Sequence, residues 1–394
     1  MTLITDNDSL ATFCARQSEA PYVAVDTEFL RDSTYWPKLC LIQLGGPDEV
    51  AAVDALAEGI DLTPVLRLLA DTGIVKVFHS ARQDMEIFHQ QMDGALPAPI
   101  FDTQVAAMVC GFGEQVGYDT LARKVTGARI DKSSRFADWS QRPLTERQLD
   151  YALADVTHLR EIYRTLRKQL DESGRAAWLD EEMAQLTNPA TYDMDPETAW
   201  RRLKPRSSDR KYLAVLREMA AWREREAQRR DVPRNRVLRD EQIQDIAAHT
   251  PRTPQQLART RGLSGDFARG RVGTGVLEAV ERALALPRDE RPLPPRKPDM
   301  PNGLGPTVEL LKVLLKARCE ANGVAQKLVA TSADLEQIAA DDSADVPALH
   351  GWRYEIFGAD ALALKRGQIA LAADSGAVRI ISLMTPEAKQ AASS

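Results

Sequence analysis

At 394 residues, 44% hydrophobic and 27% charged, the sequence has the make-up of a soluble globular chain of two or three domains, and no run approaches the ~18 apolar residues of a membrane helix. Its four cysteines (Cys14, Cys40, Cys110 and Cys319) form no CxxC pair, and the start MTLITDNDSL has neither a basic cluster nor an apolar run, which argues against a disulfide framework, a zinc site or a secretory signal and for a reducing cytoplasm. The net charge of −6 is unevenly shared: residues 201–298 carry 24 Lys/Arg against 13 Asp/Glu, the remainder 27 against 44, so an acidic body suited to cations is joined to a basic segment suited to a polyanion.

Short apolar, β-branched runs predict strands at YVAVD (22–26), LCLIQLG (39–45) and EVAAVDA (49–55), the last two paired as an antiparallel hairpin across GGPDE. LTPVLRLLADT has helical spacing, IVKVFH predicts a strand, SARQDMEIFHQQM a helix, and PIFDTQVAAMVCG a strand running into a helix. LTERQLDYALADVTHLREIYRTLRKQLDES predicts a long helix whose start is marked by Thr145. The result is a mixed sheet with helices on its faces. From about residue 209 the strand signals stop, and KYLAVLREMAAWREREAQRRD opens a helical region that runs to LEAVERALAL. Residues 289–303, dense in proline and charge, predict a semi-rigid linker. Beyond it VELLKVLLKARCEANGV, ADLEQIAADD and GWRYEIFGADALALKRGQIAL read as helices. A long helix, a short DEQIQDIA or DLEQIAA helix and a terminal helix recur in the two helical parts, as in an internal repeat of about 80 residues.

Asp26 and Glu28 lie two apart at a strand end, so the pleat points both carboxylates to one side. Asp84 falls early in a helix that follows a strand, where α/β sheets build sites. Tyr151 and Asp155, four apart, share one helix face. Each signal alone fits an ordinary structural acid. If they converge, four hard carboxylates can hold divalent cations while the tyrosine hydroxyl positions or helps to deprotonate an attacking water. RRLKPR, WREREAQRR and VPRNRVLR, with Tyr212 and Trp222 interleaved, fit either a surface tracking an RNA backbone or a solvated face over a core tryptophan. The glycines of RGRVGTGVLEAV would let a helix N-terminus approach a phosphate, but without Gly-Lys-Ser/Thr no nucleotide cofactor is expected.

DTEF with the following TYWPKLCLIQL, the HSARQD block and RPLTERQLDYALADVTHL resemble the motifs of the DEDD exonuclease superfamily, and tyrosine before the last acid resembles its tyrosine-type branch. DKSSRFADWSQRPL is similar to the segment that marks the ribonuclease D family, and the region after 209 resembles HRDC domains, small helical nucleic-acid-binding modules. The resemblance implies an α/β exonuclease domain over 1–200 with an RNase H-like mixed sheet flanked by helices. Two all-α HRDC-type domains follow, one over 205–288 and a diverged one over 304–385. It implies a monomeric 3′→5′ exoribonuclease trimming tRNA precursors and other small RNAs with two Mg²⁺ or Mn²⁺ ions. Asp26 would contact both ions, Glu28 and Asp155 complete one site, and Asp84 support the other through waters. Tyr151 and Glu28 would orient the attacking water, and the product would be a 5′-monophosphate nucleotide. Phe29 and Leu30 are candidates to wedge against the terminal base, His79 to reach sugar or phosphate, and Lys132 and Arg142 to contact phosphate. Trp139 fits core packing as well as stacking. A DNA exonuclease of the same superfamily and a non-catalytic RNA-binding protein are the alternatives.

Overall fold

The computed structural model describes residues 2–294, 301 and 303–383; the side chain of Lys132, residues 295–300 and 302 of the expected linker, and residues 384–385 of the last expected domain lie outside the described residues. A six-stranded mixed sheet is ordered β1-β4-β3-β2-β5-β6. Its strands are β1 (Thr2–Ile4), β2 (Tyr22–Leu30), β3 (Lys38–Gly45), β4 (Val50–Asp54), β5 (Val75–Phe78) and β6 (Ile100–Asp102). The expected β3–β4 hairpin is antiparallel, while β2 pairs antiparallel with β3 and parallel with β5. One expectation is corrected: β2 does not stop at Asp26 but runs on to Leu30, with a bulge between Glu28 and Phe29. The pairing partners of Thr27 to Leu30 on β3 carry the strand past the point where its apolar run ends.

Alternation along β2 sends its residues to two different cores. Val23 and Val25 face the core under α1 (Asn7–Gln17), α2 (Thr63–Ala70) and α3 (Arg82–Gln91). Tyr22 and Ala24 face the other core, under α4 (Thr103–Val109), α5 (Tyr118–Thr126) and α6 (Glu146–Ser173). By the same parity Asp26 and Glu28 turn toward α6 and Thr27 toward α3. α6 starts where Thr145 forms a capping box with Gln148 and ends at Gly174, φ +67°. Its buried Ala152, Val156, Leu159, Ile162, Leu166 and Leu170 hold it on the sheet at helical spacing; each fully buried aliphatic side chain contributes about 1.5–3 kcal/mol.

After α7 (Asp180–Leu186) the chain becomes helical: α8 (Arg210–Arg230), α9 (Arg234–Val237), α10 (Asp240–His249), α11 (Pro254–Leu257), α12 (Gly265–Arg269) and α13 (Arg271–Ala285). Tyr212 belongs to the core of this unit and Trp222 packs against it. Two glycines of RGRVGTGVLEAV have a packing reason. A Cβ on Gly273 would stand 2.4 Å from the Ala268 carbonyl oxygen, and one on Gly275 2.7 Å from the Trp222 indole nitrogen. Then follow α14 (Gly305–Asn322), α15 (Gln326–Val329), α16 (Ser332–Ala340) and a helical stretch over 351–365 with a π turn at Tyr354–Gly358. Here the all-α expectation is corrected: the last helix ends at Lys365, and β7 (Ile369–Asp374) pairs antiparallel with β8 (Ala377–Ser382). Ser375 and Gly376, at φ +50° and +94°, make the tight turn between them.

Candidate active site

Four acids from three segments come together: Asp26, Glu28 and Asp155 line a cleft of about 650 Å³, and Asp84 lies buried beside them, outside its lining. Asp26 and Glu28 come from β2 and Asp155 from the third turn of α6, and their carboxylate oxygens lie within 4.8 Å of one another. Asp84 arrives on the first turn of α3, reached from β5 through Ser80 at φ +62°. Asp102 holds this turn by accepting from the Ser80 and Ala81 amides at 3.0 and 2.8 Å. Thr27, on the opposite face of β2 from Asp26, donates its hydroxyl to Asp84 at 2.5 Å and so fixes the fourth carboxylate beside the other three. Tyr118 of α5 donates to the backbone carbonyl of Asp155 and anchors α6 at that point.

The electrostatics are those of a cage for cations. Burial raises the Asp26 carboxyl to about 6, opposed by the Thr27 amide. Glu28 is pushed up to about 10 by burial and then by Asp26, Asp155 and Asp84. Asp84 and Asp155 are raised by burial and by Asp26, with Thr27 and Tyr151 pulling each the other way. Carboxylates that disfavour one another's charge, and have only hard oxygens to offer, fit a divalent ion that neutralises them. Tyr151 lines the cleft, and burial together with Asp155, Glu28 and Asp26 raises its phenol, so the hydroxyl keeps its proton and serves as a donor.

Phe29, Leu30 and His79 line the same cleft. His79 takes Thr103 Oγ1 at 3.0 Å through Nδ1, while Nε2 is buried without a hydrogen-bond partner and burial lowers its pKa. Lys132 sits in a short 3-10 turn, Lys132–Ser134, and its side chain is outside the described atoms. Arg142 is not among the lining residues. Its Nε and Nη2 grip both oxygens of buried Asp54 at 2.6 and 2.5 Å, and its remaining donors reach the carbonyls of Cys40, Trp139 and Gln141. Trp139 is 2% exposed and packs against Tyr151, with ring centroids 6.1 Å apart. Thr27, Tyr118, Arg135 and Phe136 are neighbours of the site that the spacing of the acids did not single out.

The model of the 3′-5′ exonuclease family matches residues 1–171, and that of the HRDC domain matches residues 212–280. Ribonuclease D of Nitrobacter hamburgensis is 54% identical over 379 residues, covering 96% of this chain and 98% of that protein. Ribonuclease D of Granulibacter bethesdensis is 52% identical over 384 residues, covering 97% and 96%. The crystal structure of Escherichia coli RNase D, described as an exoribonuclease involved in structured RNA processing, superposes with a TM-score of 0.79 at 31% identity, covering 93% of this chain and 98% of that one. With its acids gathered as the geometry requires, the chain belongs to the ribonuclease D family of metal-dependent 3′→5′ exoribonucleases.

Proposed function

We propose that this enzyme acts as a cytoplasmic monomer that trims the 3′ ends of tRNA precursors and other small structured RNAs, one 5′-nucleoside monophosphate at a time. The observation that supports the site assignment is the convergence of Asp26, Glu28 and Asp155 with Tyr151 in one cleft, with buried Asp84 held beside them by Thr27. These four acids would hold two Mg²⁺ or Mn²⁺ ions, whose chemistry when bound is Lewis-acid activation of water and neutralisation of phosphate charge. Glu28 and Tyr151 orient the water, Tyr151 by donating a hydrogen bond. Phe29 and Leu30 border the terminal nucleotide, and His79, which lines the same cleft with its Nε2 buried and unpartnered, is the candidate to reach its sugar or phosphate.

The basic segment supports RNA as the polymer. A second hollow, of about 610 Å³, lies between the loop after β2 and α8–α10; Arg202, Arg234 and Arg239 line it, and Arg31 borders both it and the cleft. Reading residues 205–288 as one HRDC domain, and 304–385 as a second, diverged one, is supported by the return of the α8–α10 helix order in α14–α16. The test is hydrolysis of a 3′-extended tRNA and of matched single-stranded RNA and DNA in Mg²⁺ or Mn²⁺. Stepwise release of 5′-monophosphates from RNA, lost in Asp26→Asn and Asp155→Asn, is expected. Trimming that survives either substitution overturns the site, and equal or faster hydrolysis of DNA overturns the substrate.

A further inference from the structure

We propose that Phe136, flanked by Arg135, is a base-stacking platform at the mouth of the catalytic cleft that grips an unpaired base near the 3′ end of the RNA. The proposal rests on the reading of the cleft as the RNA site. Phe136 is 89% exposed, more than any other large apolar side chain among the described residues, and it lines the cleft that holds the acids. A single exposed aromatic is ordinary on a protein surface. What separates this one is how it is held and where.

The backbone turns sharply from Ser134 to Ala137, closed by the Ala137 amide on the Ser134 carbonyl at 3.0 Å, so Arg135 and Phe136 occupy the apex. On either side the segment is pinned. Ser134 and Trp139 are 5% and 2% exposed, and Arg142 is locked on Asp54. Both apex residues stand in solvent, with the Arg135 guanidinium 5.4 Å from the centre of the Phe136 ring. An exposed ring beside a cation, at the edge of a cleft whose product is a nucleotide, offers a π-face to a base and a charge to its phosphate. Stacking of this kind accepts any base, as an exonuclease that advances through a sequence requires. Phe29 and Leu30 line the same cleft from β2.

Phe136→Ala, Phe136→Leu and Phe136→Trp are compared with the parent on single-stranded RNA oligomers. A parallel set carries an abasic ribose at the last, second or third nucleotide from the 3′ end. Phe136→Ala should raise KM roughly tenfold, the loss falling on KM rather than kcat. Tryptophan should restore the parent value and leucine should not. An abasic ribose at one position should weaken the parent to the level of Phe136→Ala and leave Phe136→Ala itself unchanged. Anisotropy of the same oligomers on the metal-free proteins reads binding without hydrolysis, so a failure of the exoribonuclease reading shows in the parent's turnover and a failure of this proposal only in the Phe136 series. An unchanged KM and affinity in Phe136→Ala, a leucine variant equal to the parent, or additive losses at every abasic position overturns it.

Discussion

At the scale of single residues, the site is a set of charges held together against their repulsion, and two predictions follow from that. Tyr151 keeps its proton among Asp155, Glu28 and Asp26, so in the proposed role it would orient water as a donor. Tyr151→Phe should lower kcat by about 10²-fold with KM little changed; steady-state kinetics on a short oligomer checks this, and an unchanged kcat leaves the tyrosine a packing residue. Glu28 should reveal the repulsion in stability. Its carboxyl ordinarily titrates at 4.5 and is raised to about 10 in the fold. Between those values the folded state holds a proton that the unfolded chain has released, so metal-free stability falls as pH rises across the window. Glu28→Gln cannot ionise. In chelator its melting temperature should exceed the parent's by a margin that widens from about pH 5 upward, reaching a few degrees, and saturating Mg²⁺ or Mn²⁺ should reverse the order. A margin independent of pH rules this account out. The spacing of Asp26 with Glu28 and of Tyr151 with Asp155 was legible because each pair sits on a regular element whose period sets a shared face, and the resemblance joined them with Asp84 into one candidate site. Thr27 and Tyr118 were not legible: one acts across the sheet and the other on a backbone carbonyl, and neither contact leaves a spacing to read.

At the scale of elements, sequence pattern was most informative where one period dominates and least where a short run fits two. The β3–β4 hairpin and the Thr145-capped helix α6 stand as expected. The IAL that closes GWRYEIFGADALALKRGQIAL was read as the end of a helix because a short apolar run suits either period; the Ser-Gly turn and the alternation beyond it were the overlooked signal. Arg142 teaches the same lesson for charge. A cation beside a catalytic motif reads as a phosphate contact, yet here it joins the segment before α6 to the end of β4 through Asp54. Arg142→Ala would leave the 4% exposed Asp54 without its partner. Destabilisation of about 2–3 kcal/mol is expected, below the ~3–5 kcal/mol of a wholly buried pair because the arginine is partly exposed. Arg142→Lys should recover only part, since an ammonium cannot grip both oxygens. Denaturant unfolding measures both. A loss of RNA affinity with stability intact would return Arg142 to the phosphate-binding role.

At the scale of the whole molecule, both helical parts are fastened to the exonuclease body, and that decides how the basic segment can be tested. Tyr35, in the loop that leaves β2, donates to buried Glu224 of α8, which Arg234 grips at 2.6 Å through two nitrogens; Asp231 accepts from the Tyr35 and Trp36 amides at 3.0 and 3.1 Å. The last helices share one core with α4 and α6, where Trp178 stacks on Trp352 at 4.3 Å and the Ala325 amide donates to the Met108 carbonyl. Removing everything after about residue 204 would strip that core from the catalytic domain, so lost binding could not be separated from lost folding. Point changes on exposed arginines avoid this. Many arginines of the basic segment are already committed: Arg225 to Glu197, Arg229 to Glu226, Arg223 to Asp240. Arg236 and Arg239 are exposed and enter no ion pair among the described residues, and Arg239 lines the hollow that Arg31 joins to the cleft. If both contact phosphates of a single strand, Arg236→Ala with Arg239→Ala should flatten the slope of log affinity against log salt by about 1.4, at about 0.7 per contact. Hydrolysis of oligomers too short to leave the cleft should stay at the parent rate, whereas longer RNAs should lose affinity most at low salt. An unchanged slope would mean that Arg236 and Arg239 meet no phosphate and that RNA follows another face.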